Sequence, residues 1–389
     1  MAVNRLKSID IFRALTMLLM IFVNDLWSLS DIPDWLGHKP AEVDGMGLAD
    51  VVFPAFLFIV GLSVPLAIRA RQKRGDSRWK ILRHIMERSL SLMVMGVFMV
   101  NLEYIDQQNL LISKPIWQIL MTAAFFLIWN VYRARINDGL VTKLLKGAGW
   151  TILLFLAIIY KAEDQGNGTW MHFHWWGILG LIGWAYLLSA LAYLFIGNRT
   201  AWLALVLVVF YLLNINEFVS PFSVSLKIVV SASNYALVMG GVFATAVMIR
   251  LREQNKLNYL VLFLAGYALL FVIFGFVSRP LWGISKIMAT PSWSAICAAI
   301  SAVTFALLFQ FTDTWGKNKW AKIIEPAGSS TLTCYLIPYF VYGLWSLSGI
   351  SAPELINTGA LGLLKSALFS FLIIQLTGLI GSFGIKLKI

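Results

Sequence analysis

Long apolar runs separated by short polar stretches set the pattern of this chain. Runs long enough to cross a bilayer lie at roughly 9–29, 51–69, 82–101, 115–132, 147–161, 176–196, 201–215, 227–249, 257–277, 293–312, 329–348 and 361–384, each measured against the requirement of about 20 residues. The pattern predicts an all-α polytopic membrane protein, a bundle of about 10–12 transmembrane helices. The runs at 147–161 and 201–215 are the shortest and set the lower bound. With no soluble domain, low-complexity tract or strong repeat in view, residues 1–389 read as a single integral-membrane domain.

Charge gives the runs a direction. Basic residues cluster around alternate loops: Arg5 and Lys7 before the first run, Arg69 to Lys80 after the second, then Arg133, Arg135, Lys143 and Lys146, and later Arg250, Arg252 and Lys256. The intervening loops carry Asp31, Asp34, Glu42, Asp44, Glu103 and Asp106, and only the loop with Arg279 and Lys286 departs from the alternation. The bias places both termini in the cytoplasm and His38, with its acidic loop, outside.

Composition narrows the classes. Apolar residues make up 59% of the chain and charged residues 13%, with a mean hydropathy of +0.77. No soluble domain could hide so much apolar surface. The net charge of +12 is then a property of cytoplasmic loops, and no nucleic acid is expected. The first run is too long for a signal-peptide core and has no small-residue cleavage site after it. Cys297 and Cys334 both lie within apolar runs, so neither a disulfide framework nor a metal site is expected.

Polar chemistry concentrates between the first two runs, where Asn24, His38, Asp44 and Asp50 fall in a chain with four histidines. A histidine moves protons near neutral pH, and a neighbouring carboxylate fixes its tautomer and raises its basicity. An asparagine amide at the end of a span can donate to a developing oxyanion. Each also has a structural explanation: a solvated loop histidine, an interfacial asparagine and a helix cap. Asp10 and Arg13, three apart at the start of the first run, read as an ion pair, or Arg13 joins Arg5, Lys7 and the Arg69–Lys80 loop in attracting an anionic cytoplasmic ligand. The stretch Thr169–Gly177, with His172 and His174 among aromatics, reads as an interfacial belt before it reads as a metal site. Lys286–Trp293 and Pro326–Tyr335 place small polar residues beside Pro or Gly at span entrances, where they can line a cavity or cap a helix.

These residues resemble a family. The stretch R-L-K-S-I-D-I-F-R-A from Arg5, M-I-F-V-N ending at Asn24, a histidine in the next loop, and G-M-G-L-A-D-V-V-F-P from Gly45 are similar to the heparan-α-glucosaminide N-acetyltransferase family of transmembrane acyltransferases. Later blocks from Trp176, Ala289 and Pro326 follow in order. Ala14 stands where the family usually has glycine, and Val43 and Asp44 replace its usual tryptophan and asparagine.

The resemblance implies acetyl transfer from cytoplasmic acetyl-CoA to the amine of a glucosamine-type sugar on the outer side. His38 would be base or acetyl carrier, Asn24 would stabilise the oxyanion, and Asp50 or Asp44 would orient the imidazole. The donor would meet Asp10, Arg13, Arg5, Lys7, Lys286, Ser329 and Ser330. The expected partners are acetyl-CoA, an amino-sugar or glycan acceptor and the lipid bilayer, with a homodimer as a candidate assembly. The expected location is a bacterial inner membrane with the site loop facing the periplasm. The rival reading is a 12-helix secondary transporter of a small solute, against which stand the missing internal repeat and the lack of an obvious mid-span charge pair. A non-catalytic membrane scaffold is the third class.

Overall fold

The computed structural model describes residues 6–132, 139–163, 169–219 and 229–389. Thirteen α-helices and no strands occur among them: α1 Lys7–Asp25, α2 Leu48–Lys73, α3 Arg78–Asn101, α4 Lys114–Trp129, α5 Gly139–Ile158, α6 Ile178–Ile196, α7 Thr200–Asn216, α8 Ala232–Glu253, α9 Leu260–Trp282, α10 Pro291–Leu308, α11 Glu325–Ser329, α12 Thr331–Ser348 and α13 Gly359–Ser382. Apart from the five-residue α11, each corresponds to one apolar run. Seven described helices are long and apolar enough to cross a membrane, while α4 and α7 are apolar but shorter. The fifth run becomes a 20-residue helix because α5 starts at Gly139 and takes Lys143 and Lys146 into its first turns.

The helices alternate in direction, so the bundle has two ends. Asp50, at the start of α2, lies at the end where α1 finishes. The chain termini meet at the other. There Lys7 N and Ser8 N donate to Asp313 at 3.0 and 2.9 Å, capping the first turn of α1 from beyond α10. Val131 N donates to Lys386 O (3.0 Å) and Leu387 N to the Thr333 hydroxyl (2.9 Å), drawing the C-terminal segment to the same end.

Apolar surface alone does not drive helices together in lipid, so close approach must. Helix α2 packs most extensively on α8 and also touches α1, α6 and α10. At its crossing with α8, Gly61 faces the Val238 carbonyl and Gly241 faces the Phe58 carbonyl, and a Cβ on either glycine would collide with backbone. Helix α8 is buried on nearly all sides, whereas α5 and α13 are mostly uncovered and present Leu154, Ile158, Leu364, Leu368 and Leu372 outward. The polar ends are thus carried on a rod, α2, held at the centre of the bundle.

Candidate functional site

Helix α2 begins at Leu48, and Asp50 is its third residue. The Asp50 carboxylate turns back to accept from Gly47 N at 3.0 Å, closing the first turn. It also accepts from Lys39 N at 3.1 Å. The side chain is 1% exposed. Its Oδ1 lies 2.7 Å from His38 Nδ1. A carboxylate can only accept, so Nδ1 carries the proton in this pair and Nε2 keeps a lone pair. The imidazole is half exposed, and its Nε2 has no hydrogen-bond partner among the described residues.

The loop between α9 and α10 clamps this arrangement. Asp44 accepts from Arg279 Nε at 2.9 Å and Ile284 N at 2.7 Å. Gly45 N donates to Ile284 O (2.9 Å), and Ser285 Oγ donates to Ala41 O (3.2 Å). The Ile284 amide, then the Arg279 guanidinium, hold the Asp44 carboxyl below the usual carboxylate range. Asp44 therefore tethers the loop, and Asp50 is the carboxylate that orients His38. From below, the Trp293 indole donates to the Asp50 carbonyl at 3.0 Å. Lys286, expected with the donor groups, lies in the clamp: its Nζ is 3.2 Å from His38 Nδ1 and 4.0 Å from Asp50 Oδ1. Burial pulls its ammonium below the ordinary lysine range, with Asp50 opposing that shift.

Asn24 lies in the last turn of α1 at the same end. It is exposed, and its amide makes no hydrogen bond among the described residues. The next residue is the anchor. Asp25 is buried and accepts from the Tyr342 hydroxyl (2.9 Å) and the Ser366 hydroxyl (2.6 Å), with Lys365 Nζ at 3.7 Å. This network fixes the end of α1 to α12 and α13 and holds Asn24 at the mouth. Nearby, Asn101 brackets His172, donating to its carbonyl (2.8 Å) and accepting from its N–H (3.1 Å). The His174 ring lies 4.9 Å from that of Tyr104. The His172 ring lies 5.8 Å from that of His174, and no group of three metal-ligating side chains converges among the described residues.

The remaining candidates gather at the opposite end. Arg13 donates to the Ser63 hydroxyl (2.7 Å), to Asp10 (3.3 Å) and to the Gly328 carbonyl (3.3 Å), joining α1, α2 and α11. Arg13, Ser329 and Ser330 line a cavity of about 340 Å³. Lys7, Asp10 and Ser329 line a second of about 270 Å³. Arg5 lies outside the described residues. The sequence reading passed over Arg88 of α3, which also lines the larger cavity; a charge inside the run 82–101 was its signal. It also passed over Asp25, whose signal was a second polar residue directly after Asn24.

With this geometry in place, comparison with known proteins bears out the resemblance over part of the chain. Residues 5–140 match the model of the family described as heparan-alpha-glucosaminide N-acetyltransferase, catalytic. That stretch holds α1 to α4, hence Arg13, Asn24, His38, Asp44, Asp50 and Arg88. A Mus musculus heparan-alpha-glucosaminide N-acetyltransferase is 40% identical over 101 residues, which are 26% of this chain and 15% of that protein. A Homo sapiens protein of the same description is 38% identical over 100 residues, 26% of this chain and 14% of its own length. The matched stretch thus spans about a seventh of these relatives.

Proposed function

We propose that this protein is a transmembrane acetyltransferase that carries an acetyl group from acetyl-CoA to the amine of a glucosamine-type sugar across the membrane. The observation that carries the reading is the His38–Asp50 pair at 2.7 Å, within the stretch that matches the catalytic model. Helix alternation and the positive-inside bias support a cytoplasmic basic end and an outward-facing His38 loop. In a bacterial inner membrane, that loop would face the periplasm.

The chemistry follows from the atoms available. The acceptor amine attacks the thioester carbonyl, the C–S bond breaks, and the thiolate of CoA leaves. His38 Nε2 takes the proton released by the amine, and Asp50 stabilises the imidazolium through Nδ1–H. In the two-step variant Nε2 first accepts the acetyl group itself. The Asn24 amide, free of other partners, donates to the oxyanion. The acetyl donor supplies the activated acyl group. Lys7, Asp10, Arg13, Ser329 and Ser330 surround its charged end, while Lys286 stands beside Asp50 and adds positive charge next to the pair.

The test is transfer of labelled acetyl from acetyl-CoA to glucosamine by the purified full chain, wild type beside His38→Ala. Product from wild type, with His38→Ala reduced at least about a hundredfold, is the expected result. Equal product from both would keep the reaction and discard the site. Solute uptake without chemical change would move the reading to a transporter. Label retained on wild type without acceptor would select the two-step route.

A further inference from the structure

The larger cavity has two kinds of wall. Near the basic end it meets Arg13, Arg88 and Lys388; deeper in, Met17, Phe56 and Val60 take over. Along α2 the lining runs from Ala67 to Phe56, about 16 Å of helix, and Asp50 lies about 9 Å beyond. The space is a long throat, charged at its entrance and apolar within, leading toward the His38 end.

The cations at the entrance are not equally occupied. The Arg13 guanidinium is bound to Ser63, Asp10 and Gly328. Arg88 meets the side chain of one neighbour, Tyr186, through a hydrogen-bond interaction and the ring face. Its guanidinium carbon sits 4.8 Å from the centre of the Tyr186 ring, and its Nε is enclosed without a hydrogen-bond partner. The adjacent Glu87 is turned to Arg83 at 2.7 Å, and Arg71 is held by Asp76 at 3.1 Å. Among the described residues no carboxylate lies within ion-pair distance of Arg88. A half-buried guanidinium without a counter-charge is costly, and an anion in the cavity would offset that cost. The planar fork of arginine suits phosphate oxygens, and the Tyr186 ring holds it flat by cation–π contact.

We infer that Arg88 is the phosphate-binding residue for the donor: it grips the phosphate-bearing end of a nucleotide thioester at the throat entrance, while the uncharged arm lies along Met17, Phe56 and Val60. The assignment rests on the acetyl-transfer reading and adds a recognition element to it. Arg13 and Lys388 supply further positive field. The apolar throat excludes a second phosphate group further in, so the ligand has one charged end and a slender neutral remainder.

The experiment compares two donors on the full-length protein in a bilayer mimic: acetyl-CoA, and S-acetylpantetheine, which has the arm and thioester without the phosphates. Arg88→Gln is expected to raise the KM for acetyl-CoA about tenfold or more and that for S-acetylpantetheine less than about twofold, with Arg88→Lys between. An acetyl-CoA KM unchanged by Arg88→Gln, or an equal rise for both donors, would overturn the assignment. Added anionic lipid that raises the acetyl-CoA KM of wild type but not of Arg88→Gln would support Arg88 as a phosphate site that headgroups can also enter. If wild type turns over neither donor, the acetyl-transfer reading falls, and Arg88 is judged by the thermal shift with CoA. A shift lost in Arg88→Gln keeps the phosphate site; no shift in either protein removes it.

Discussion

At the His38 end of the bundle the polar groups already answer one another; at the Arg88 end a guanidinium has no carboxylate partner among the described residues. Asp50 alone accepts from two backbone amides and an imidazole, and the loop around it is pinned through Asp44 to Arg279 and Ile284. Arg88, by contrast, rests on an aromatic ring with an enclosed, unmatched N–H. On the proposed reading the difference separates two tasks. A group that must act on a reacting atom gains from being fixed before the substrate arrives. A group that must admit and release a charged ligand gains from having no counter-charge in the protein to displace.

That separation can be broken most directly at Asp50. Asp50→Asn keeps the shape but can donate where only acceptance fits, and it releases the His38 tautomer. Acetyl transfer should fall about a hundredfold or more, while thermal stabilisation by CoA stays as in wild type. If CoA stabilisation falls as well, the two ends act as one site.

Gly61→Ala sharpens the comparison from the middle. The added methyl meets the Val238 carbonyl, and such overpacking costs about 1–3 kcal/mol. Because α2 carries Asp50 at one end and lines the cavity beside Arg88 at the other, the melting midpoint, transfer activity and CoA binding should decline together. Loss at one end alone would mean that the ends are supported independently.

A smaller effect is expected of Asp44→Asn, which weakens the loop tether without touching His38. Activity should fall a few-fold with donor KM unchanged, since an exposed ion pair contributes little on its own. A fall as large as that of Asp50→Asn would return Asp44 to the catalytic pair.

The smallest is a pH effect. The folded-state carboxyl of Asp44 is held below its usual range, so its tether is fully present above the ordinary aspartate value of about 4 and is lost as pH falls through the lower folded value. Wild type should lose loop protection, read by hydrogen exchange at Ile284, only in that acid window. Asp44→Asn should show the loosened loop at every pH.

Much of this was legible in the sequence, and the limits have physical reasons. Apolar runs report helices well because each spanning segment must satisfy its own backbone in lipid. The Asn24–His38–Asp50 cluster stood out because polar residues are dense between two such runs. Which carboxylate faces His38 was not legible: Asp44 and Asp50 are six and twelve residues away, and loop closure, not spacing, chose between them. Lys286 sits 248 residues from its imidazole neighbour, and Asp25 is 317 from Tyr342; such pairings are fixed only when the helices pack. Arg88 disappeared into an apolar average over its own span.

Helix α2 also has a metric consequence. Ser63, which holds Arg13, and Asp50, which holds His38, are thirteen residues apart on one rod, about 20 Å. Pro54 and Pro65 interrupt its hydrogen-bond ladder, but the glycine crossing with α8 lies between them and keeps the rod from sliding. The interval is a fixed gauge. On the proposed reading, a donor whose charged end lies beside the first mark and whose thioester reacts at the second is selected by its reach as well as its chemistry, so lengthening or shortening the arm by even a few bonds would disqualify it while leaving both ends intact.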